Sequence, residues 1–179
     1  MAITVSLIVE DGTGKADANS FASYDDFISF WAQDNIDYSL PVDPEEATTS
    51  PSENAVRSAL IQATEYINDM NFFGAKRLSS QSLSFPRVNL RVPGSSYTYP
   101  TYMPSDEVPS NIVKATCYLA GLIIQGTDIM APAQSVSSQS VSGVGSVTYS
   151  DGQGRVRYPR FDKFVGPFID PSVKVEVKQ

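Results

Sequence analysis

The chain has 179 residues, a length that suits one domain, and 41% of them are hydrophobic, which is enough for a core. Its formal net charge is −7, and an acidic surface disfavours simple wrapping by nucleic acid, although a local basic patch would survive. The chain contains no histidine and one cysteine, Cys117, which excludes the usual general base, the commonest metal ligand and any internal disulfide.

The N-terminal segment predicts a short strand and a tight turn. Ile3–Val9 is β-branched and apolar, and Glu10-Asp11-Gly12-Thr13-Gly14 follows it. A strand before a Gly-rich turn is also seen in phosphate loops. The lysine of a P-loop precedes Ser or Thr, however, whereas Lys15 precedes Ala16. Two carboxylates would also repel phosphate, so the pattern favours a turn over a nucleotide site.

The first predicted helix begins after Ser23, an N-cap residue, with Asp25 and Asp26 in the turn where carboxylates complement the helix dipole. Its apolar residues have helical spacing and predict core packing: Phe27, Ile28, Phe30 and Trp31. The polar stretch Asp34–Thr49 then predicts a surface loop.

The second predicted helix begins with Ser50 and Glu53 as a capping box and Pro51 in the first turn. One face is apolar, with alanines that allow close approach of another helix: Val56, Ala59, Leu60, Ala63, Ile67 and Met70. Gly74 is the predicted C-cap.

The stretch Ala75–Ser105 predicts a long irregular connection, which in compact domains is uncommon and often functional. It contains four cations followed by three tyrosines: Lys76, Arg77, Arg87, Arg91, Tyr97, Tyr99 and Tyr102. Such a composition could bind single-stranded nucleic acid by stacking and phosphate contact. It is also typical of a protein interface, which the acidic total charge favours.

The stretch Glu107–Gly126 predicts the central helix of the fold. Pro109 suits the first helical position and Gly126 the end. Its second half is apolar nearly all round, which indicates a helix surrounded by protein. The apolar part is too short and interrupted for a membrane span, which needs roughly 20 apolar residues. Cys117, within this helix, is expected to be a small buried hydrophobe.

A β-hairpin is predicted at about residues 139–158, after a Pro/Ser/Gln linker. Its turn would be Ser150–Gly154, between a first strand ending at Tyr149 and a second that contains Arg155 and Arg157. Pro159 then predicts the start of a short helix, whose apolar residues are Phe161, Phe164, Val165 and Phe168.

The C-terminal tail, residues 171–179, alternates Val173, Val175 and Val177 with charged residues, which is the pattern of a strand. A solitary strand needs a sheet edge. Either the hairpin of the same chain or another chain could supply that edge.

Together these elements predict a mainly α fold. It would be a small bundle of three to four helices around the central apolar helix, with a β-hairpin and extended N- and C-terminal arms. Residues 1–170 would form the domain, and residues 171–179 the tail.

No group of residues suggests catalysis. The carboxylates of Asp25-Asp26 and of Glu45-Glu46 are adjacent in sequence, so they point in different directions and do not converge on a substrate. A serine triad lacks its histidine, and no EF-hand spacing occurs. We therefore expect no enzyme, no catalytic residue, no cofactor and no metal. The N-terminus shows no signal peptide, so a reducing cytoplasm is expected.

Several landmarks, taken in order, resemble a family of tailed-phage proteins labelled "DnaT-like", after a primosomal single-stranded-DNA-binding protein. The helical layout of the family is similar to phage head–tail connector (adaptor) proteins. The resemblance spans Leu7 to Phe168 and is carried by LIVEDGTG at 7–14, ANSFAS at 18–23, ALIQATEY at 59–66, LSFPR at 83–87, EVP at 107–109 and Tyr158-Pro159.

The resemblance implies a connector-like structural adaptor in the virion of a tailed phage. Twelve copies would form a ring under the portal that joins capsid to tail. Its partners would be further copies of itself, the portal protein and a tail or neck protein, with no membrane. Genomic DNA would pass through without specific binding. The location would be the virion neck, and the host cytoplasm during assembly.

Under this interpretation the hairpin and tail make the subunit and portal contacts, through Val141, Val144, Val147, Tyr149, Arg155, Arg157, Val173, Val175 and Val177. The alternative, which the family label suggests, is a single-stranded-DNA-binding replication factor. It would contact nucleic acid through Lys76, Arg77, Arg87, Arg91 and the nearby tyrosines.

Overall fold

The computed structural model describes residues 5–36, 38, 52–96, 98–130, 138–141, 145–148 and 158–170. In these ranges the chain is mainly helical, as predicted. The helices are α1 (Tyr24–Ala32), α2 (Glu53–Asn68), α3 (Ser110–Ile124) and α4 (Pro159–Val165), and a 3₁₀ turn, Gly166–Phe168, follows α4. Within the described part of the chain, no helix is long and apolar enough to cross a membrane.

Helix α3 packs against each of the other three helices. Its residues Ile112, Ala115, Leu119 and Ala120 are fully buried, because the apolar stripe predicted from the sequence faces these neighbours. Cys117 is also buried, as predicted, and desolvation raises the pKa of its thiol above the ordinary value.

Helix α1 begins as predicted, with a capping box in which the side chains of Ser23 and Asp26 each accept a backbone N–H. Helix α2 differs from the prediction at both ends. Its N-cap is Ser52, whose side chain accepts the N–H of Ala55, and Ser50 lies outside the described residues. The helix ends at Asn68, not near Gly74.

Helix α2 ends early because the chain after it pairs with the residues that follow α4. Phe72 forms an antiparallel bridge with Ile169. The N–H of Phe73 donates to the oxygen of Phe168 at 3.0 Å, and the N–H of Asp170 donates to the oxygen of Asn71 at 3.0 Å. These long-range bonds use backbone groups that a longer helix would need.

The strand predicted at Ile3–Val9 is not formed in residues 5–9, where a parallel bridge joins Val9 to Ser20. The predicted turn after it is confirmed. The buried carboxylate of Glu10 accepts the N–H groups of Gly12 at 2.9 Å, Gly14 at 2.8 Å and Lys15 at 2.8 Å. The side chain thereby fills the ring of amides that a phosphate would need.

The chain between α2 and α3 is more regular than predicted. Strands β1 (Ala75–Lys76) and β2 (Arg87–Val88) form a two-stranded antiparallel sheet. A second antiparallel contact joins Arg91 to Tyr102. These pairings connect residues 11 to 13 positions apart in sequence, so no local pattern revealed them.

A two-stranded hairpin is present in the predicted region, but both of its described strands lie before Tyr149, in the stretch predicted as the first strand. Strands β3 (Ser138–Val141) and β4 (Gly145–Thr148) pair antiparallel, with Val141 opposite Gly145. The stretch predicted as one strand therefore forms two, and the predicted turn and second strand, at residues 150–157, lie outside the described residues. Several predicted contact residues lie outside the described residues: Val144, Tyr149, Arg155, Arg157, Val173, Val175 and Val177.

Candidate nucleic-acid interface

The residues between α2 and α3 differ from the rest of the chain in charge. The stretch from Met70 to Ser105, here called the basic segment, contains Lys76, Arg77, Arg87 and Arg91 and no aspartate or glutamate. The whole chain has a formal net charge of −7. The negative charge therefore lies on the rest of the molecule, and the basic segment is locally positive.

Two short antiparallel ladders place these cations along one length of backbone. In the first, Lys76 lies opposite Arg87, and the N–H of Arg77 donates to the oxygen of Pro86 at 3.1 Å. In the second, Arg91 lies opposite Tyr102. Arg91 follows Arg87 by four residues, which span at most about 14 Å of chain. The four cations are therefore close neighbours along the fold.

Lys76 and Arg77 are exposed and could contact a phosphate backbone. The ammonium of Lys76 donates to the oxygens of Gln81 at 3.4 Å and Ser82 at 3.2 Å. The Nη1 of Arg77 donates to the oxygen of Gly12 at 2.7 Å. Among the described residues neither cation forms an ion pair with a carboxylate. Each keeps further donors for a ligand.

Arg87 has a structural role. Its guanidinium donates to four backbone oxygens, those of Phe73 at 2.7 Å, Phe72 at 2.9 Å, Gly74 at 2.8 Å and Ser84 at 3.0 Å. Desolvation by burial lowers its pKa from the ordinary value. Because its donors are bound to the backbone, Arg87 fixes the path of the chain and has little left for a phosphate.

Arg91 is likewise turned toward backbone. Its Nη2 donates to the oxygens of Ser95 at 3.1 Å and Ser96 at 2.8 Å. Ser95 ends a four-residue turn in which its N–H donates to the oxygen of Val92 at 3.0 Å, and Ser96 follows that turn. Pro93 and Gly94 (φ +80°) occupy its central positions, as a type II turn requires.

The basic segment also carries most of the exposed large hydrophobic side chains. Six such side chains are exposed among the described residues, and four belong to this segment: Phe73 (40% exposed), Leu78 (41%), Tyr99 (81%) and Tyr102 (52%). The third tyrosine of the predicted set, Tyr97, lies outside the described residues. Exposed aromatic side chains and exposed cations therefore belong to the same segment of the chain.

The structure thus separates the four predicted nucleic-acid contacts into two pairs. Lys76 and Arg77 are available at the surface, whereas Arg87 and Arg91 hold backbone oxygens. Sequence analysis missed Phe73, the residue before the predicted C-cap Gly74. The signal that could have singled out the segment is its run of residues without a carboxylate. Val141 and Val147 lie on β3 and β4, and their contact role stays a prediction.

No curated protein and no solved structure shows significant similarity to the chain. A family model described as "Putative DnaT-like ssDNA binding protein" matches residues 5–178, nearly the full length.

This match contradicts the head–tail adaptor interpretation, which is wrong. The predictions that depended on the adaptor interpretation are wrong as well: the ring of twelve subunits, the portal, tail and neck partners, and the role of virion structural protein. The family is described by the binding of single-stranded DNA, whereas an adaptor was expected to let DNA pass without specific binding. The chain belongs to the family of DnaT-like ssDNA binding proteins.

Proposed function

We propose that this protein binds single-stranded DNA through the exposed side of the basic segment and that it catalyses no reaction. One observation carries the proposal. The segment combines exposed cations with exposed aromatic side chains and contains no carboxylate, on a chain that is acidic elsewhere. Surfaces that bind single strands combine the same two features, a positive path for the phosphates and aromatic faces for the bases.

In this proposal Lys76 and Arg77 contact phosphates. They are adjacent in sequence, exposed, and held near the turn of residues 10–15 by the bond from Arg77 to Gly12. The acidic remainder of the chain would repel DNA from other surfaces. A single local site therefore fits the charge distribution better than wrapping around the protein.

We also propose two details, one about the domain boundaries and one about cofactors and metals. The first is that residues 1–170 form one domain, with the N-terminus and residues 171–179 as extended arms. The second is that the protein works without a cofactor or metal. The predicted location, the phage neck or the host cytoplasm, stays a prediction.

A salt titration of the full chain tests the proposed function. Fluorescence anisotropy would follow a labelled oligothymidylate of about 16 nucleotides, near the upper site size of one domain. Salt would range from about 50 to 200 mM. We expect K76A/R77A to weaken binding and to make the slope of log K against log salt shallower by about 1.4, because each lost phosphate contact contributes about 0.7.

The matched control is K114A/K163A, which removes two positive charges from exposed positions on α3 and α4. It should leave both affinity and slope close to those of the unmodified protein, because these lysines lie outside the basic segment. If the unmodified protein fails to bind the oligonucleotide at low salt, the proposed function is wrong. Equal effects of the two variants would place the site elsewhere.

A further inference from the structure

We infer that Tyr99 and Tyr102 make this site select unpaired nucleotides over duplex DNA, and that Arg91 is a positioning residue for the two tyrosines. The inference rests on the proposed function and assigns its strand selectivity to particular residues. It concerns the tyrosine hairpin, defined here as the paired segments 90–92 and 101–103 with the described connecting residues 93–96 and 98–100.

The cations cannot supply this selectivity, because single strands and duplexes both present phosphates. Bases differ between the two forms. In a duplex their faces are stacked on one another, whereas an unpaired base has a face free for an aromatic ring. Tyr99 is 81% exposed and Tyr102 is 52% exposed, so both rings have surface available for a base.

The backbone holds the two tyrosines near each other. The N–H of Val92 donates to the oxygen of Thr101 at 2.8 Å, and the N–H of Met103 donates to the oxygen of Leu90 at 2.8 Å. Tyr102 lies in this ladder, and Tyr99 lies two residues before Thr101. The pair is therefore presented by a hydrogen-bonded hairpin that connects directly to β2.

Arg91 stabilises the conformation of that hairpin. It is the ladder partner of Tyr102, so the two side chains start from the same face of the pair. Its guanidinium reaches across the connection to the oxygens of Ser95 and Ser96. The guanidinium of Arg91 thereby links the segment paired with Tyr102 to Ser95 and Ser96, which lie in the connection before Tyr99. Lysine lacks the planar arrangement of donors and is not expected to replace it.

The test compares a single-stranded oligonucleotide with a duplex of the same length, by anisotropy, for the full chain. Y99A/Y102A should weaken single-strand binding by about 30-fold or more, which is about 5-fold for each ring at the lower end of base–aromatic stacking, with little change for the duplex. Y99F/Y102F should keep the selectivity, because stacking uses the ring and not the hydroxyl. M130A is the matched control, since Met130 is exposed to 56% outside the basic segment.

Arg91 is tested by R91K and R91Q in the same assay with a salt series. If Arg91 is a positioning residue, both variants should lose single-strand affinity while the slope of log K against log salt stays unchanged. A direct phosphate contact predicts the opposite pattern, in which R91K binds normally and R91Q makes the slope shallower by about 0.7. Circular dichroism shows whether each variant is folded, and the exposed-tyrosine variants test the inference should R91Q unfold.

The inference and the proposed function fail in different ways. The inference is overturned if Y99A/Y102A weakens single-strand and duplex binding equally, and also if it weakens neither. The proposed function then still stands, provided that K76A/R77A weakens binding. If the unmodified protein binds neither form of DNA, the proposed function itself is wrong.

Discussion

Glu10 shows how a single side chain can define a turn. It is 3% exposed, and its two carboxylate oxygens accept three backbone N–H groups from Gly12, Gly14 and Lys15. A buried carboxylate is stable only when hydrogen bonds replace its hydration. The glycines make the close wrapping of backbone around it possible, so the Gly-rich sequence serves the fold and not a phosphate.

The substitution E10Q should therefore destabilise the protein by about 2 kcal/mol, because it replaces charge-assisted hydrogen bonds and puts an NH₂ group against backbone donors. Urea unfolding would measure the change. E65Q is a suitable control, since Glu65 is an exposed residue of α2, and it should change stability by less than about 0.5 kcal/mol. Equal effects of the two substitutions would show that the Glu10 bonds contribute little.

At the scale of the elements, the contact between α1 and α3 depends on a missing side chain. A Cβ at Gly121 would lie 2.1 Å from Cζ2 of Trp31. With no side chain there, the indole packs close to the backbone of α3 and donates from Nε1 to the oxygen of Cys117 at 3.0 Å. The sequence shows an apolar helix with a glycine inside it, and only the packed pair explains that glycine.

We expect G121A to cost about 3 kcal/mol, the upper end for overpacking a core, because the indole or the helix must move. Unfolding followed by the fluorescence of Trp31, the only tryptophan in the chain, would measure it. G166A is the matched control, since a Cβ at Gly166 meets nothing within 4 Å. If G121A were as stable as G166A, the close packing of Trp31 would be contradicted.

In the basic segment, some cations stabilise the backbone and others lie at the surface. Its two ladders supply rigid backbone, and two of its four cations stabilise that backbone from within. Arg87 donates hydrogen bonds to the backbone oxygens of Phe72, Phe73, Gly74 and Ser84. It therefore joins the residues that follow α2 to β2. The cations at the surface, Lys76 and Arg77, can then face a ligand from a fixed position.

For the whole molecule, total charge is a poor guide to the binding surface. The net charge of −7 favours a protein interface over nucleic acid only if the charge is evenly spread. The carboxylates are instead absent from residues 70–105. Because salt screens charges beyond roughly 8–10 Å, a local positive surface can act largely independently of distant acidic groups.

Below about pH 8, the stability of the fold should depend on pH only in the acid range. No histidine is present, so few groups titrate between about pH 5.5 and 8. The pKa of Asp11 is held below its ordinary value of 3.8, first by the hydroxyl of Thr13 and then by Lys15. A carboxylate with a lowered pKa stabilises the fold at pH values above its ordinary pKa. That contribution is lost as the pH falls below the ordinary pKa toward the lowered one.

Urea unfolding across a pH series would measure this dependence. We expect a nearly constant free energy of unfolding from about pH 5.5 to 8 and a decline below about pH 4. D11N should make the decline shallower, because it removes one carboxylate that must be protonated. A stability transition centred near neutral pH would contradict the prediction.

The sequence by itself determined the helices and most of the core. The Ser23 cap, the apolar stripe of α3 and the start of α4 at Pro159 are signals that act within a few residues, so local patterns predicted them. The same patterns failed where partners are distant. The end of α2, the two antiparallel pairings of the basic segment and the pairing of β3 with β4 depend on which backbone groups bond to each other.

Only the tertiary structure decided which cations face outward. All four appear equivalent in the sequence, as basic residues among tyrosines. Arg87 and Arg91 are committed to backbone oxygens because the fold brings Phe72, Ser84, Ser95 and Ser96 within reach. Lys76 and Arg77 stay exposed. The availability of a charge depends on the neighbours that folding places around it, and a sequence pattern does not contain that information.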